Sequence, residues 1–143
     1  MARYYGVAIV FSDSADWPYT EELTAGYVYL RLHGSPETYA SPYSDAALDR
    51  WAERIRTWRD GGLPCDTKRI TNSKPPPRKT RDIYVYFDND KQAHAPRDAL
   101  RLAARLGLGS TEDELRMKNE ESRMKEFGDS QFSILNSQFT IRL

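Results

Sequence analysis

Apolar and polar positions along this chain sort into a few compact segments. Val7-Ala8-Ile9-Val10-Phe11 is an unbroken apolar run that stops at Ser12-Asp13-Ser14. Tyr27 to His33 (YVYLRLH) opens with aromatic and β-branched residues and stops at Gly34. Ile83-Tyr84-Val85-Tyr86-Phe87 is the strongest of the three and ends at Asp88-Asn89-Asp90. Runs of this composition, bounded by turn formers, predict strands. Apolar residues at both parities predict strands covered on both sides, the habit of parallel sheets. Two further segments repeat with the helical period. Leu48, Trp51, Ala52, Ile55 and Trp58 form one stripe and predict a helix over 45–59, capped by Ser44 and ended at Gly61. Ala99, Leu102, Ala103 and Leu106 predict a second helix over 96–106, with Pro96 at its first position and Gly107 at its stop. The stretch 16–23 fits either a short helix or a turn. Strand, strand, helix, strand, helix is the order of a parallel α/β architecture.

Residues 110–143 follow no such pattern. Thr111-Glu112-Asp113-Glu114 reads as a capping box, and a charged helix is expected to follow to about Glu126. Phe132, Ile134, Phe139, Ile141 and Leu143 then suggest marginal strands with no obvious partner. The organisation expected is one folded region over 1–109 and a separate tail over 110–143.

Charge changes this picture in one place. Lys plus Arg is 21 and Asp plus Glu is 21 in 143 residues, which excludes a globally basic nucleic-acid binder. The basic excess is confined to 61–82, where Lys68, Arg69, Lys74, Arg78, Lys79 and Arg81 surround Pro75-Pro76-Pro77. Without aromatic residues to stack on bases, this segment is expected to be a solvated loop, with phosphate contact as its functional alternative. The single cysteine, Cys65, excludes an intrachain disulfide and a cysteine-based zinc site. No run of 18 apolar residues exists and the first residues lack a signal-peptide pattern, so a cytoplasmic protein without membrane contact is expected.

Several motifs in one order carry a resemblance. They are the strand from Gly6 to Asp13, then YVYLRLHG (27–34) with Tyr39, Tyr43-Ser44 and the 48–58 helix, then IYVYFDND (83–90) with Ala95 and Ala99-Leu100. Together, over roughly residues 3 to 108, they resemble the domain of unknown function 72 family, the YecE-like proteins. Members of that family are similar to (β/α)8 barrels of about 250 residues. The resemblance implies a TIM-type (β/α)8 barrel of which this chain holds the C-terminal portion, about the last three βα units, followed by a tail unlike the family. Three parallel strands cannot close a barrel. Two open sheet edges and an uncovered inner face bearing Tyr29, Tyr84 and Tyr86 are therefore expected.

Barrel chemistry sits at the carboxyl ends of the strands. With the aliphatic side chains turned toward the helices, Tyr29, Arg31 and His33 share the inner face with Tyr84, Tyr86 and Asp88, and Asp13 is expected there with Val7, Ile9 and Phe11. Arg31 offers a planar cationic fork for a carboxylate or phosphate, or else an internal ion pair with Asp13 or Asp88. His33 suits general acid–base work, or a neutral packing role. Asp13 and Asp88 (the family commonly has asparagine at the latter position) could serve a base. A metal would need ligands from outside these segments, so none is assigned. Tyr39 and Tyr43 are candidate covers for a ligand, and Asn89 is a candidate contact or a turn former. His94 is expected at the surface, and Cys65 lacks a histidine neighbour in sequence that would activate it. There is no Gly-rich phosphate loop, GxSxG or HExxH.

The catalytic candidates are thus His33, Asp13 and Asp88, and the ligand-binding candidates Arg31, Tyr39, Tyr43 and Asn89. No cofactor is assigned. A complete barrel of this kind is expected to bind a polar or anionic, phosphate- or sugar-like ligand. The alternatives are half of a split barrel completed by an N-terminal half-barrel chain or by self-association, and an inactive fragment.

Overall fold

A computed structural model describes residues 1–34 and 37–108, and the backbone of 139–142. Its elements run α1 (Ala2–Tyr5), β1 (Val10–Asp13), β2 (Tyr27–Leu32), α2 (Asp45–Arg59), β3 (Asp82–Phe87), a 3-10 turn at Lys91–Ala93, α3 (His94–Arg105) and β4 (Phe139–Arg142). The sheet order is β1-β2-β3-β4, with β1, β2 and β3 parallel and β4 antiparallel on the outer edge of β3. The chain is α/β, built on a small parallel sheet with helices.

Pleating decides which residues are buried. β2 and β3 run in register from Tyr27 against Asp82 to Leu32 against Phe87. Val28, Leu30 and Leu32 therefore share one face with Ile83, Val85 and Phe87, and all six are at most 1% exposed. The apolar stripe of α2 (Leu48, Trp51, Ala52, Ile55, Trp58) and Ala95, Ala99 and Leu102 of α3 pack on that face. Ser44 caps α2, its side chain accepting the N–H of Ala47. The opposite face is only half covered. It carries Tyr27 against Tyr84 (ring centroids 5.9 Å apart) and Tyr29 against Tyr86 (4.8 Å). The expectation of strands covered on both sides is thus corrected: the pleat buries one face and leaves tyrosines on the other.

Other expectations shift in detail. The first strand starts at Val10, not Val7, and Ala2–Tyr5 is a helical turn. Val7, Ala8 and Ile9 lie outside the ladder because Thr24 takes their backbone instead, its Oγ1 donating to the Val7 carbonyl and accepting the Ile9 N–H. Helix α3 starts at His94, so Pro96 lies inside the first turn, where a missing N–H costs nothing. His94 is partly buried rather than fully at the surface. The 16–23 stretch forms neither an α-helix nor a strand, and Glu21 to Ala25 are buried.

The 61–82 loop is anchored at its middle and near its end. Glu22, 2% exposed, accepts hydrogen bonds from Arg3, from the N–H groups of Ile70 and Thr71, and from Thr71 Oγ1. Arg81, 3% exposed, donates to the carbonyls of Trp58 and Pro76, the former in the last turn of α2, where positive charge is favoured. The expected helix to Glu126 and the strands at Phe132 and Ile134 lie outside the described residues. Phe139–Arg142 does form a strand, and its partner is β3. The expected pair of open edges is corrected accordingly: β3 is paired on both sides, while β1 has no strand on its outer edge among the described residues.

The face that meets the helices carries the stability. Leu30→Ala, at a site with no exposure, is expected to lower the unfolding free energy by about 2–5 kcal/mol. Tyr84→Ala, on the half-covered face, is expected to cost much less. Urea unfolding followed by tryptophan fluorescence checks the order of the two.

Candidate functional site

The pleat that buries Leu32 and Phe87 turns Arg31, His33 and Asp88 the other way, at the carboxyl ends of β2 and β3. Arg31 donates from Nε to Asp88 Oδ2 at 2.8 Å, with Nη2 at 2.6 Å from the same oxygen. His33 Nδ1 lies 3.2 Å from that oxygen too, although it is not aligned as a hydrogen bond. Asp88 and His33 are buried, at 7% and 4% exposure, while the Arg31 side chain is 36% exposed. Of the two readings of Arg31, the internal ion pair is realised, and its partner is Asp88 rather than Asp13.

Burial holds His33 below its usual value of 6.5, and Arg31 works in the same direction; Asp88 and then Asp13 oppose them. The ring is therefore neutral at pH 7. Burial, with Asp88 adding to it, pushes the carboxyl of Asp90 up.

Asp13 does not join this cluster. In the β1–β2 register Phe11 pairs with Leu30 and Asp13 with Leu32, so both face the helices. Phe11 packs edge-on against Trp58 at 5.3 Å. Asp13 Oδ2 accepts the hydroxyl of Tyr43 at 2.8 Å, and that hydroxyl in turn accepts the Gly34 N–H at 3.0 Å. Tyr43 is 2% exposed, so it is a strut behind the cluster rather than a cover over it. Burial, with Asp13 next, pushes its phenol far above the usual range. Asn89 is also fully buried on the helix side, its amide donating to the Ser41 carbonyl at 3.0 Å and to Asp98 Oδ2 at 2.8 Å.

Asp98 is the residue that sequence reasoning missed. Its carboxylate, 1% exposed, accepts the Tyr43 N–H, the Asn89 amide and Arg101 Nη1 at 2.7–2.8 Å. It thereby ties the loop after β2 to the loop after β3. A signal was present: Ala95, Asp98, Ala99 and Leu102 fall on one helical stripe, and a carboxylate on a buried stripe needs partners.

Tyr39 stands over the cluster, its ring edge-on to His33 at 5.2 Å and its own residue half exposed. Its backbone is left-handed (φ 64°), as are Gln92 and Ala93 (φ 57° each). Among the described residues these are the only non-glycine positions with positive φ, and all three lie in the two loops flanking His33 and Asp88. The loops meet where the Lys91 N–H donates to the Tyr39 carbonyl at 3.4 Å. Such conformations cost about 1–3 kcal/mol each and cluster at functional sites. Gly34 (φ 96°) opens the first loop. A Cβ there would meet the Ser41 carbonyl at 2.8 Å and Asn89 Cβ at 3.1 Å, so only glycine fits.

Elsewhere, Glu21 is fully buried against Tyr19 and Arg54 on the helix side, and burial raises its carboxyl. Among the described residues no three His, Cys, Asp or Glu side chains group as metal ligands, and no helix is long and apolar enough to cross a membrane. Cys65 is exposed.

Both histidines have depressed values in the fold, so the unfolded chain binds more protons below about pH 6.5. Stability is thus complete above that pH and is lost as pH falls from there toward the folded values. His33→Gln is expected to flatten this loss. In wild type, the His33 Cε1 proton is expected to titrate below the usual value by NMR. In Asp88→Asn, which removes the opposing carboxylate, it is expected to titrate lower still.

No curated protein and no solved structure matches the chain. A family model does. The one described as "Protein of unknown function DUF72" matches residues 1–123, which takes in β1, β2, β3, the helices α1, α2 and α3, and every residue of the Arg31–His33–Asp88 cluster. On that match, with motifs and strand ends in the order described, the chain belongs to the DUF72 family.

Proposed function

We propose that this chain supplies the C-terminal strands of a YecE-like (β/α)8 barrel and that Arg31, His33 and Asp88 bind a polar ligand at their carboxyl ends. The observation that carries the reading is the convergence of these three side chains on one face, ringed by the two loops that hold every left-handed non-glycine residue described. Sequential parallel strands with α2 and α3 on the same face are the arrangement barrels use. In the acid–base form of the proposal, neutral His33 exchanges a proton with the ligand and Asp88 orients its ring. Asp13, Tyr43 and Asn89 then act as positioning residues through the Asp98 network, while Tyr39 contacts the ligand. The test is ligand-induced shifts in NMR spectra of the chain. Signals of Arg31, His33 and Tyr39 are expected to move together, and His33→Ala is expected to weaken binding by about 1–3 kcal/mol, the cost of an unmade buried hydrogen bond. Unchanged binding in both His33→Ala and Arg31→Ala removes these residues from the site.

A second reading, assembly with another chain or copy, has one observation in its favour. β1 has no strand on its outer edge among the described residues, and it and the segment leading into it carry the exposed side chains of Val10, Tyr4, Tyr5 and Val7. The opposite edge is closed by β4, so a partner strand entering there would have to displace it. Light scattering is expected to show mass rising with concentration, and Val10→Lys is expected to suppress the rise. A monomer at all concentrations counts against this reading and leaves the first intact.

A further inference from the structure

The cluster at the carboxyl ends of β2 and β3 also indicates what kind of ligand it takes. Arg31 is the obvious anion receptor, yet its Nε donates to Asp88 Oδ2 at 2.8 Å and its Nη2 is ion-paired with the same oxygen at 2.6 Å. Its charge is matched before any ligand arrives. Beyond that pair, the segments that leave the three parallel strands carry Asp16, Glu37 and Asp90 against Lys91. The rim is therefore acidic, and a phosphate or carboxylate brought there meets like charge. A second cation fares no better beside Asp88, where it meets the Arg31 guanidinium.

Two features call for a hydrogen-bonding partner. His33, 4% exposed, has its Nδ1 without a hydrogen bond among the described residues. Asp88 holds Arg31 through Oδ2, and a carboxylate has a second oxygen, Oδ1, with which to accept from a ligand. A hydroxyl can accept from the N–H of His33 and donate to the carboxylate of Asp88, whereas an ionised oxyanion has no proton to give that carboxylate. Below them the half-covered face continues as paired rings, Tyr29 with Tyr86 and Tyr27 with Tyr84. Burial, and then Tyr86, hold the Tyr29 phenol above its usual range, so it stays an uncharged donor and acceptor. Aromatic walls with a few convergent polar groups are the usual make-up of a small-molecule site.

We infer that the ligand of this site is an uncharged, hydroxyl-rich molecule of the sugar class, and that the Arg31–Asp88 pair selects against its phosphorylated forms. This inference rests on the proposed ligand site and narrows it. Asp88 acts in it as a specificity residue: it cancels the one cation that would otherwise capture an oxyanion, and it presents an acceptor to hydroxyls.

The test titrates the full chain with neutral methyl glycosides of glucose, galactose, mannose and ribose, then with the corresponding sugar phosphates and inorganic phosphate at matched ionic strength. Side-chain NMR signals of Arg31 and His33 are the readout. At least one neutral sugar is expected to shift both signals and to bind about tenfold tighter than its phosphate, given the cost of like-charge juxtaposition. Asp88→Asn is expected to reverse that order by releasing Arg31. A phosphate binding as tightly as its neutral sugar in wild type, with both signals shifting, overturns the sugar inference and leaves the ligand site standing. No shift with any probe overturns both. If Asp88→Asn does not fold, the wild-type comparison alone decides.

Discussion

The in-register parallel pairing of β2 and β3 is the constraint on which the rest of this molecule depends. A strand has only two faces, and adjacent strands in register share them. Once Val28, Leu30 and Leu32 are buried with Ile83, Val85 and Phe87, Arg31, His33 and Asp88 have no choice but to meet on the other side. A shift of one residue in either strand would put a tyrosine ladder into the helix layer and scatter the polar cluster. The core that holds the fold together and the cluster that bears its chemistry are thus two consequences of one register.

Behind that cluster lies a second set of polar contacts, centred on the buried Asp98, Asn89 and Tyr43. Asp98 gathers the Tyr43 backbone, the Asn89 amide and Arg101, and Tyr43 passes its hydroxyl to Asp13 and takes the Gly34 N–H. Its members come from the end of β1, the loops after β2 and β3, and helix α3, so the network ties the two loops to the sheet and to that helix. This rigidity is what allows Tyr39, Gln92 and Ala93 to remain in left-handed conformations. The candidate site is therefore built in two layers: groups that face outward, and groups that hold their loops in place.

The sheet edges divide the molecule differently. β4 pairs with β3 on the side away from β2, while the outer edge of β1 has no strand beside it among the described residues. Exposed apolar residues occur on that strand and in the segment that leads into it: Val10, and before it Tyr4, Tyr5 and Val7. Membership of DUF72 accounts for the parallel unit and its motifs, since the match spans residues 1–123. The β4 strand lies beyond it.

Much of this was legible in the amino-acid order alone. The helical stripe from Leu48 to Trp58, the strands around Leu30 and Val85, and the pairing of Arg31 with an acidic residue all follow from period and charge, which are local properties. The family, too, was readable from YVYLRLHG and IYVYFDND. What the order of residues could not settle were the matters that depend on a neighbour. Asp13 was expected beside Arg31, but the register of β1 on β2 turned it toward Tyr43. Tyr43 and Asn89 looked like ligand contacts, yet loops folding back over the helix layer buried them. Asp98 owes its importance to a meeting of the Tyr43 backbone, 55 residues away in the chain, with Asn89 and Arg101, and that meeting exists only in the folded state. Phe139–Arg142 seemed to lack a companion until β3 supplied one. Periodicity specifies which residues share a face, because the backbone repeats it every few residues; which faces meet is decided by register and packing, and those exist only once distant segments are in contact.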